Sequence, residues 1–555
     1  MNLRNIGEFV SLKDSDSLAN RDLVPISVRN RRWNLLSYLS YWCIICLCMS
    51  TWSGAVSLYD KGFSGTESIA IVVVGNIVIT TLVGFNSVYG SDYHIGFSVF
   101  QRVVLGIRGS WLGVLLRSML SVVWFAMQAW LGGTCVTLFL STLSRSYMNM
   151  NADSTSDLTG QRLIGFIVFL VITAPFLLVK PANYSIYLST SAALTLAACI
   201  GITIWTVCDN SGRGSAMTSG IPPASEVVNK GWLWVYAINS WYGGLVAGVA
   251  NQSDFSRFNR RPRDSYVGTL IGINIVGIIV PALALIAYSA FYEKYGIATL
   301  YPTEMVTTIL RNQYDSGTRA GSAFAALALI YSQIVMCTIS NAIPGGMDLA
   351  ALFPRFLNTR RGAVLVFILT WVVQPWRFFY TGSTFLTVMS SFTVFLSPLI
   401  AIYICEYFVI RRKIIKLSHC YLHGPDSVYW YTSGFNIKAL ACFLAGSAPG
   451  LPGLIYEARL SEGSTTATIN AGIYRFYQGS FMFQFITTFF LYWVANLIFP
   501  SEVATRDNVD YYDTFTENEL SRFDMSQSDI VPSNSSTPVE DNKRYKDYNV
   551  SEMVA

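Results

Sequence analysis

The chain has few charged residues and almost no histidine. Of its 555 residues, 13% are Asp, Glu, Lys or Arg, and only 3 are His. Soluble domains usually carry about a quarter charged residues, so a chain with so little charge could not cover a folded surface in water. The shortage of histidine argues against a metal site or an acid–base catalyst built on imidazole, and we expect no metal site. The net charge of +5 is too small to indicate a nucleic-acid-binding protein.

Hydrophobic residues make up 52% of the chain and fall in long runs. A helix needs about 20 mostly apolar residues to cross a bilayer. The runs therefore predict an all-α membrane protein, embedded in the lipid bilayer by about twelve transmembrane helices. These predicted spans lie near 34–58, 67–86, 111–141, 161–180, 184–208, 231–250, 266–292, 320–342, 361–376, 382–408, 436–455 and 474–499.

Basic residues predict how the spans are oriented, because Lys and Arg are concentrated in cytoplasmic loops. They precede span 1 and lie between spans 2 and 3, 6 and 7, 8 and 9, and 10 and 11. All these positions share one side if the number of spans is even. The pattern predicts cytoplasmic N- and C-termini and rests on Arg29, Arg31, Arg32, Arg102, Arg108, Arg257, Arg260, Arg261, Arg263, Arg355, Arg360, Arg361, Arg411, Arg412, Lys413 and Lys416.

Three parts follow from this organisation. Residues 1–32 form a polar cytoplasmic N-terminal segment, and residues 33–499 form the transmembrane domain. Residues 500–555 are rich in Asp, Glu, Ser and Asn and have no apolar periodicity. We expect this acidic cytoplasmic tail to be disordered and to bind cytoplasmic regulators.

Span 3 contains the stretch SVVWFAMQAWLGG at residues 121–133. Trp124 and Gln128 are four residues apart and so share one face of a helix. An amide in hydrocarbon is costly without a partner, so it should face protein or a water-filled cavity. Two interpretations stay open: the pair binds a planar heterocycle, stacked on the indole and hydrogen-bonded by the amide, or the amide forms an interhelical bond beside a core Trp. Gly132 and Gly133 favour close helix packing.

Spans 6 and 8 also contain small and polar residues within apolar runs. Gly243 and Gly244 in span 6 indicate either close packing or local unwinding, which transporters use to expose backbone groups at a midplane site. In span 8, polar residues stand just before a Pro-Gly-Gly sequence and predict a cavity-lining segment: Ser332, Gln333, Thr338, Ser340 and Asn341.

Carboxylates are expected only near helix ends. Asp254 and Arg257, at the end of span 6, favour an ion pair or a helix cap rather than a binding role. Asp348 and Glu406 also lie towards cytoplasmic ends and predict packing or gating contacts. With no carboxylate placed at the midplane, a cationic ligand would have to rely on cation–π contact with an indole.

Taken together, these motifs resemble nucleobase–cation symporter family 1. The resemblance lies in WFAMQAWLGG of span 3, NQSDFSRF of span 6, ISNAIPGG and DLAALFPRFLNTRRG of span 8, and STFLTVMSSF of span 10. It runs from about Leu23 to about Pro500 and fits the fungal branch, which includes uracil, uridine and allantoin permeases. NQSDFSRF and MDLAALFP are most similar to the thiamine and nicotinamide riboside transporter subgroup.

The resemblance implies a broken-helix transporter fold, with two five-helix repeats of opposite topology plus two further helices. It implies that the substrate stacks on Trp124 and is hydrogen-bonded by Gln128 and by Asn341 of span 8. The backbone at Gly243 and Gly244 would approach the substrate.

Span 10 and span 6 supply further implied positions. Leu386 matches the bulky residue that closes the outer gate in this family. The bacterial hydantoin member has a second stacking Trp in its sixth helix, where this chain has Leu245. One-sided stacking, or help from Trp241 or Tyr242, would follow.

Two other positions concern the coupling ion. The sodium-binding hydroxyls of the bacterial member align with Val335 and Met336, which cannot ligate a hard cation. The sequence therefore favours a proton as the coupling ion, and no cofactor is implied.

The expected function is that of a secondary active transporter in the plasma membrane. It would import a small planar nitrogen heterocycle such as thiamine, nicotinamide riboside, a nucleobase, a nucleoside or allantoin, together with a proton. The alternative is a non-transporting sensor that binds such a ligand and signals through the tail. An enzyme is not expected, because no HxxxH, HExxH or GxSxG pattern stands in the polar loops.

Overall fold

The regular secondary structure of the described residues is helical. The computed structural model describes residues 12, 15, 17–27, 30–150, 158–179, 185–221, 229–377, 382–461 and 468–502. Within these ranges the regular elements are helices. The described residues also contain two isolated β-bridges and no strand. The C-terminal tail predicted at 500–555 lies almost wholly outside the described residues.

Each predicted span contains a helix, and we number the helices α1 to α12 by span. A helix that is interrupted by a bend, a 3-10 turn or a π-helical turn is given as its consecutive parts. The bounds are α1 Leu35–Cys46 and Met49–Val56, α2 Gly65–Tyr93, α3 Ser110–Leu143, α4 Gly160–Thr173, α5 Ser185–Asp209, α6 Lys230–Ser256, α7 Pro262–Ile271, Gly272–Val276 and Gly277–Tyr295, α8 Ser316–Val335, Met336–Ala342 and Ile343–Leu352, α9 Thr359–Val373, α10 Gly382–Ile404 and Cys405–Ile410, α11 Ile437–Ser447, Ala448–Gly450 and Leu451–Ser461, and α12 Ser480–Ile498.

The described residues contain nine helices that are long and apolar enough to cross a membrane, and the bent pair forming α1 makes a tenth. The other two are α6, which has many polar residues, and α9, which has only 15 residues. Fifteen residues are fewer than the about 20 that a straight span needs. The prediction of an all-α multi-pass membrane protein is confirmed, while the exact number of twelve spans stays a prediction.

Helices α1, α7, α8, α10 and α11 are interrupted, whereas α6 is not, and the interruptions of α1 and α8 lie beside the cavity described below. The two parts of α1 meet at an angle of 50° around Leu47 and Cys48. In α8 the segment Met336–Ala342 is a π-helical turn, followed by Pro344, which has no N–H to offer the preceding turn. Helix α6 runs without interruption through Gly243 and Gly244, so the local unwinding that this pair allows is not observed.

Close packing explains the glycine pair at the end of the SVVWFAMQAWLGG stretch. A Cβ atom on Gly132 would lie 2.2 Å from the ring of Phe169, and one on Gly133 would lie 2.8 Å from the Cα of Phe166. From the other side, a Cβ on Gly165 would lie 2.4 Å from the carbonyl oxygen of Gly133. The predicted close contact of α3 with a neighbour is confirmed, and that neighbour is α4.

The described part of the N-terminal segment packs against the loops that join the helices. The Ile26 amide donates to the carbonyl of His94 at 3.0 Å, and Asn20 Nδ2 donates to the carbonyl of Leu357 at 3.2 Å. Tyr421 donates its hydroxyl to the carbonyl of Leu23 at 3.0 Å. This segment therefore joins the loops before α3, α9 and α11 at one end of the bundle.

Candidate binding cavity

A cavity lies between α1, α3, α6 and α8, beside the break in α1 and the π-helical turn in α8. The space between these helices, counted together with its opening to solvent, is about 810 Å³. Its wall consists of Tyr41, Ile45, Ser50, Thr51, Gly54, Leu58, Trp124, Ser240, Trp241, Gly244, Leu245, Ala247, Gly248, Asn251, Met336, Ser340 and Asn341.

One face of α6 forms one side of this cavity. The wall residues of α6 recur at intervals of three and four, as expected for one face of an uninterrupted helix. They run from Ser240 to Asn251, which corresponds to about 16 Å along the helix axis. Gly244 lies on this face and leaves it open to the cavity, whereas Gly243 is buried and is not part of the wall.

Trp124 lies in the wall, as the stacking hypothesis requires. Its side chain is 5% exposed, and its ring lies 5.6 Å from the ring of Phe392 in α10, at an interplanar angle of 38°. The indole nitrogen has no hydrogen-bond partner among the described residues. The ring is thus held by packing rather than by a hydrogen bond.

Trp241 provides a second indole in the wall, as one of the two helpers considered from the sequence. Its Nε1 donates to Asn76 Oδ1 in α2 at 2.9 Å, which fixes the orientation of the ring. Tyr242 is not in the wall and packs its ring 4.8 Å from Phe481 in α12. Leu245 also lies in the wall, between the two levels of α6 that carry polar groups.

Gln128 is not in the wall and forms interhelical hydrogen bonds. Its Nε2 donates to the hydroxyl of Ser50 at 2.9 Å, and its Oε1 accepts from Gln333 Nε2 at 3.0 Å. The side chain is fully buried. Of the two interpretations of the Trp124 and Gln128 pair, the interhelical amide is the one observed in this structure. Ser50 is in the cavity wall, so its hydroxyl links the Gln128 amide to the cavity.

The polar residues of α8 divide between the cavity and the helix contacts. Ser340 and Asn341 lie in the wall, and Asn341 Nδ2 donates to the carbonyl of Met336 at 3.2 Å within the π-helical turn. Thr338 donates to its own helix, at the carbonyl of Ile334. Gln333 and Ser332 instead bond towards α3 and α1, the latter at the carbonyl of Leu47 at 3.4 Å.

The outer gate position expected from the sequence is in α10. Leu386 lies within the helix Gly382–Ile404, but its side chain is outside the described residues.

Within its described residues the cavity wall has no Asp, Glu, Lys, Arg or His. A cluster of charged residues lies outside the wall, near the ends of α6 and α8, where Arg117 of α3 contacts two carboxylates. Its Nη1 is 2.6 Å from Asp254 Oδ2 of α6, and its Nε and Nη2 donate to the two oxygens of Asp348 of α8. All three side chains are at most 2% exposed.

Asp254 forms both contacts expected from the sequence: an ion pair, with Arg117, and a cap, since its Oδ1 accepts from the amide of Phe97 at 2.9 Å where a short helix begins. Arg257 donates instead to the carbonyl of Asp22 in the N-terminal segment. Arg117 was missed, although an Arg inside the apolar run LLRSMLS signals a buried partner. Ser50 and Asn251 were missed as well; the signal at Ser50 is a hydroxyl pair, Ser50 and Thr51, interrupting an apolar span.

The chain was compared with known proteins by sequence and by structure. The sequence comparisons identify one family of permeases. A family model described as a permease for cytosine/purines, uracil, thiamine and allantoin matches residues 25–477. A thiamine transporter of Saccharomyces cerevisiae is 34% identical over 512 residues, covering 92% of this chain and 84% of the transporter. Nicotinamide riboside transporter 1 of the same yeast is 35% identical over 514 residues, with the same coverage of 92% and 84%.

Among solved structures, the fold is similar to that of Mhp1, a nucleobase-cation-symport-1 family transporter, in a closed conformation with bromovinylhydantoin bound. The TM-score is 0.68 at 19% identity, and the match covers 92% of this chain and 100% of Mhp1. This likeness confirms the broken-helix transporter fold.

Proposed function

The chain belongs to the family of permeases for cytosine and purines, uracil, thiamine and allantoin and is a membrane transporter, and we propose that it imports thiamine or nicotinamide riboside together with a proton. Membership of a permease family favours transport over the alternative of a sensor that signals through the tail, and it agrees with the expectation that the chain is not an enzyme. The two named substrates are small planar nitrogen heterocycles bearing a substituent.

The observation that best supports this proposal is the pairing of two indoles with uncharged polar groups in one cavity. Trp124 and Trp241 offer flat faces on which a planar ring stacks. Both proposed substrates contain a positively charged ring, and an indole face attracts a cation by about 0.5 to 2 kcal/mol. Tyr41 adds a third aromatic ring to the wall. A cationic ring can therefore bind without a carboxylate.

Each residue implied by the family resemblance has a role in this proposal. Trp124 stacks on the ring, and Asn341 hydrogen-bonds its heteroatoms. Gln128 contributes through the hydroxyl of Ser50, or directly once that bond is released. Gly244 lets the ligand approach α6 closely, and Gly243 allows the helix to sit against its neighbours.

The outer gate belongs to α10 in this proposal. Leu386 closes the extracellular side of the cavity during alternating access. Its place in Gly382–Ile404 puts it in the same helix as Phe392, which packs against Trp124.

A nucleobase–cation symporter family implies a coupling cation, and we assign that role to H⁺. Sodium is bound by oxygen ligands at short distances, and Val335 and Met336 offer a hydrocarbon and a thioether at the positions where the bacterial relative has hydroxyls. The proposed location is the plasma membrane, with both termini in the cytoplasm. Regulators would bind the acidic tail there.

Uptake assays in cells that lack their own transport of both vitamins test the proposal. Wild-type protein should take up labelled thiamine or nicotinamide riboside, with uptake driven by a proton gradient and unaffected by replacing sodium. Unlabelled uracil, uridine and allantoin should compete weakly. Strong uptake of one of these three, with none of either vitamin, would refute the proposed substrates.

A pair of tryptophan variants of α3 tests the site itself. Trp124→Ala should abolish uptake of every substrate, because it removes the stacking face. Trp111→Ala is the matched control, since Trp111 is in the same helix but 54% exposed on the outside of the bundle. Surface amounts of both variants are measured in parallel. Normal transport by Trp124→Ala would refute the assignment of the site.

A further inference from the structure

The cavity is longer than a single planar ring. Its α6 face extends over about 16 Å from Ser240 to Asn251. The wall also includes residues of α1 from Tyr41 onwards and Leu58, just after that helix. A ring stacked on one indole occupies only part of this length, so the remainder is available to another part of the ligand.

Besides the indole nitrogen of Trp124, polar atoms of two wall residues remain without partners among the described residues. Four polar wall residues each form a hydrogen bond within the protein: Ser50 accepts from Gln128, and Thr51, Ser240 and Asn341 donate to backbone carbonyls. By contrast, Asn251 Oδ1 and Ser340 Oγ have no hydrogen-bond partner among the described residues. Asn251 is only 6% exposed, so water does not readily replace a missing partner.

Building on the proposed function, we propose that Asn251 and Ser340 form an inner subsite for the polar substituent carried by the ring. The amide oxygen of Asn251 accepts a hydrogen bond from a hydroxyl or amino group, and the Ser340 hydroxyl can donate or accept. The matching ligand is a heterocycle with a hydroxyl- or amine-bearing substituent, such as a ribosyl group. A bare ring reaches the indoles but not this subsite.

Asn251 and Ser340 both line this cavity. They come from different helices, α6 and α8, and Ser340 is inside the π-helical turn that also holds Asn341. The subsite is therefore adjacent to the proposed ring-reading residue, and one ligand can contact both. Stacking tolerates many rings, whereas a hydrogen-bonding subsite rejects ligands that leave its polar groups unpaired.

The test compares inhibition constants of a whole ligand and of its bare ring. Uptake of labelled nicotinamide riboside is inhibited by unlabelled nicotinamide riboside and by 1-methylnicotinamide, which keeps the charged ring without the ribose. If thiamine is the substrate, thiamine is compared with 3,4-dimethylthiazolium, which keeps the charged ring without the hydroxyethyl and pyrimidine groups. The ratio of the two constants does not depend on how much protein reaches the membrane.

In Asn251→Leu, the inhibition constant of the whole ligand should rise about tenfold, as expected for a lost hydrogen bond to a buried group, and that of the bare ring should not change. Ser340→Ala should give a smaller shift in the same direction; because it removes only one oxygen, it also serves if Asn251→Leu does not reach the membrane. Gln252→Leu is the matched control, an adjacent buried amide of α6 that is not in the wall and donates to Thr269.

Two outcomes would overturn the inference in distinguishable ways. If the wild type takes up a vitamin and neither Asn251→Leu nor Ser340→Ala changes the ratio, the subsite is wrong and the proposed function stands. If the wild type takes up neither vitamin and transports a bare nucleobase instead, the proposed substrates and the subsite both fail.

Discussion

Arg117 and Asp254 form a buried ion pair, with 2.6 Å between Nη1 and Oδ2, and Asp348 completes the cluster on the other side of the guanidinium. Along their helices, Arg117 is seven residues before Trp124, and Asp348 is seven residues after Asn341. Seven residues correspond to about 10 Å of helix. The cluster therefore ties α3, α6 and α8 together just beyond the inner end of the cavity.

Loss of the arginine should destabilise the protein strongly. Arg117→Leu leaves two buried carboxylates without their counter-charge, and breaking a buried pair typically costs about 3 to 5 kcal/mol. We expect a large fall in the melting temperature of the detergent-solubilised protein. Arg162→Leu is the matched control: its pair with Glu304 is 39% and 40% exposed, where an ion pair contributes little. Equal melting temperatures for the two variants would contradict the structural role of Arg117.

The hydroxyl between Gln128 and the cavity leads to a second prediction. Because the amide meets the cavity through Ser50, we expect Ser50→Ala and Gln128→Ala to change the order in which unlabelled heterocycles inhibit uptake, in the same direction. Thr134→Val, in α3 but outside the wall, is the control. Competition assays decide this. A changed profile for Gln128→Ala beside an unchanged one for Ser50→Ala would mean that the amide contacts the substrate directly.

Close approach of α3 and α4 depends on a missing side chain. A Cβ on Gly133 would lie 2.8 Å from the Cα of Phe166, a backbone atom that cannot rotate away. Gly133→Ala should therefore lower the melting temperature, since overpacking costs about 1 to 3 kcal/mol. In Gly201→Ala, within α5, the added Cβ has no atom within 4 Å. Thermal unfolding followed by size-exclusion chromatography should show a loss for the first variant alone.

The membrane spans and the aromatic part of the site were predictable from the sequence because both depend on local patterns. A run of about 20 apolar residues identifies a span whatever its neighbours are. Trp124 and Asn341 stand in short motifs, and both lie in the cavity wall. Gly133 packs as a small residue in a membrane helix should.

What the sequence could not settle depends on contacts between distant helices. Helical spacing puts Gln128 on the same side as Trp124, but only the positions of Ser50 and Gln333 decide that its amide is used between helices. The break in α1 near Leu47 has no Gly or Pro to mark it. Conversely, Gly243 and its neighbour Gly244 left close packing and local unwinding both open, and α6 is continuous there, because a helix tolerates Gly at a cost of about 1 kcal/mol.

His94 gives a prediction about pH. It lies just after α2, and its Nδ1 donates to the carbonyl of Arg257 at 2.9 Å. Burial, together with the charge of Arg31, lowers the pKa of His94 to about 3. An unfolded chain binds this proton near pH 6.5. Stability from this group is therefore full above about pH 6.5 and is lost as the pH falls towards 3, by about 2 kcal/mol between pH 7.5 and 5.

Replacing His94 should flatten that dependence. His94→Asn suits the site, because Asn tolerates the left-handed backbone found there, with φ of 53°. The fall in melting temperature from pH 7.5 to 5 should be smaller in this variant than in the wild type, and His423→Asn, at an exposed position, should behave as the wild type. The pH dependence of uptake should be the same in all three, because His94 stays neutral throughout this range and so does not exchange the coupled proton. A shifted uptake profile in His94→Asn would instead place this imidazole on the proton path.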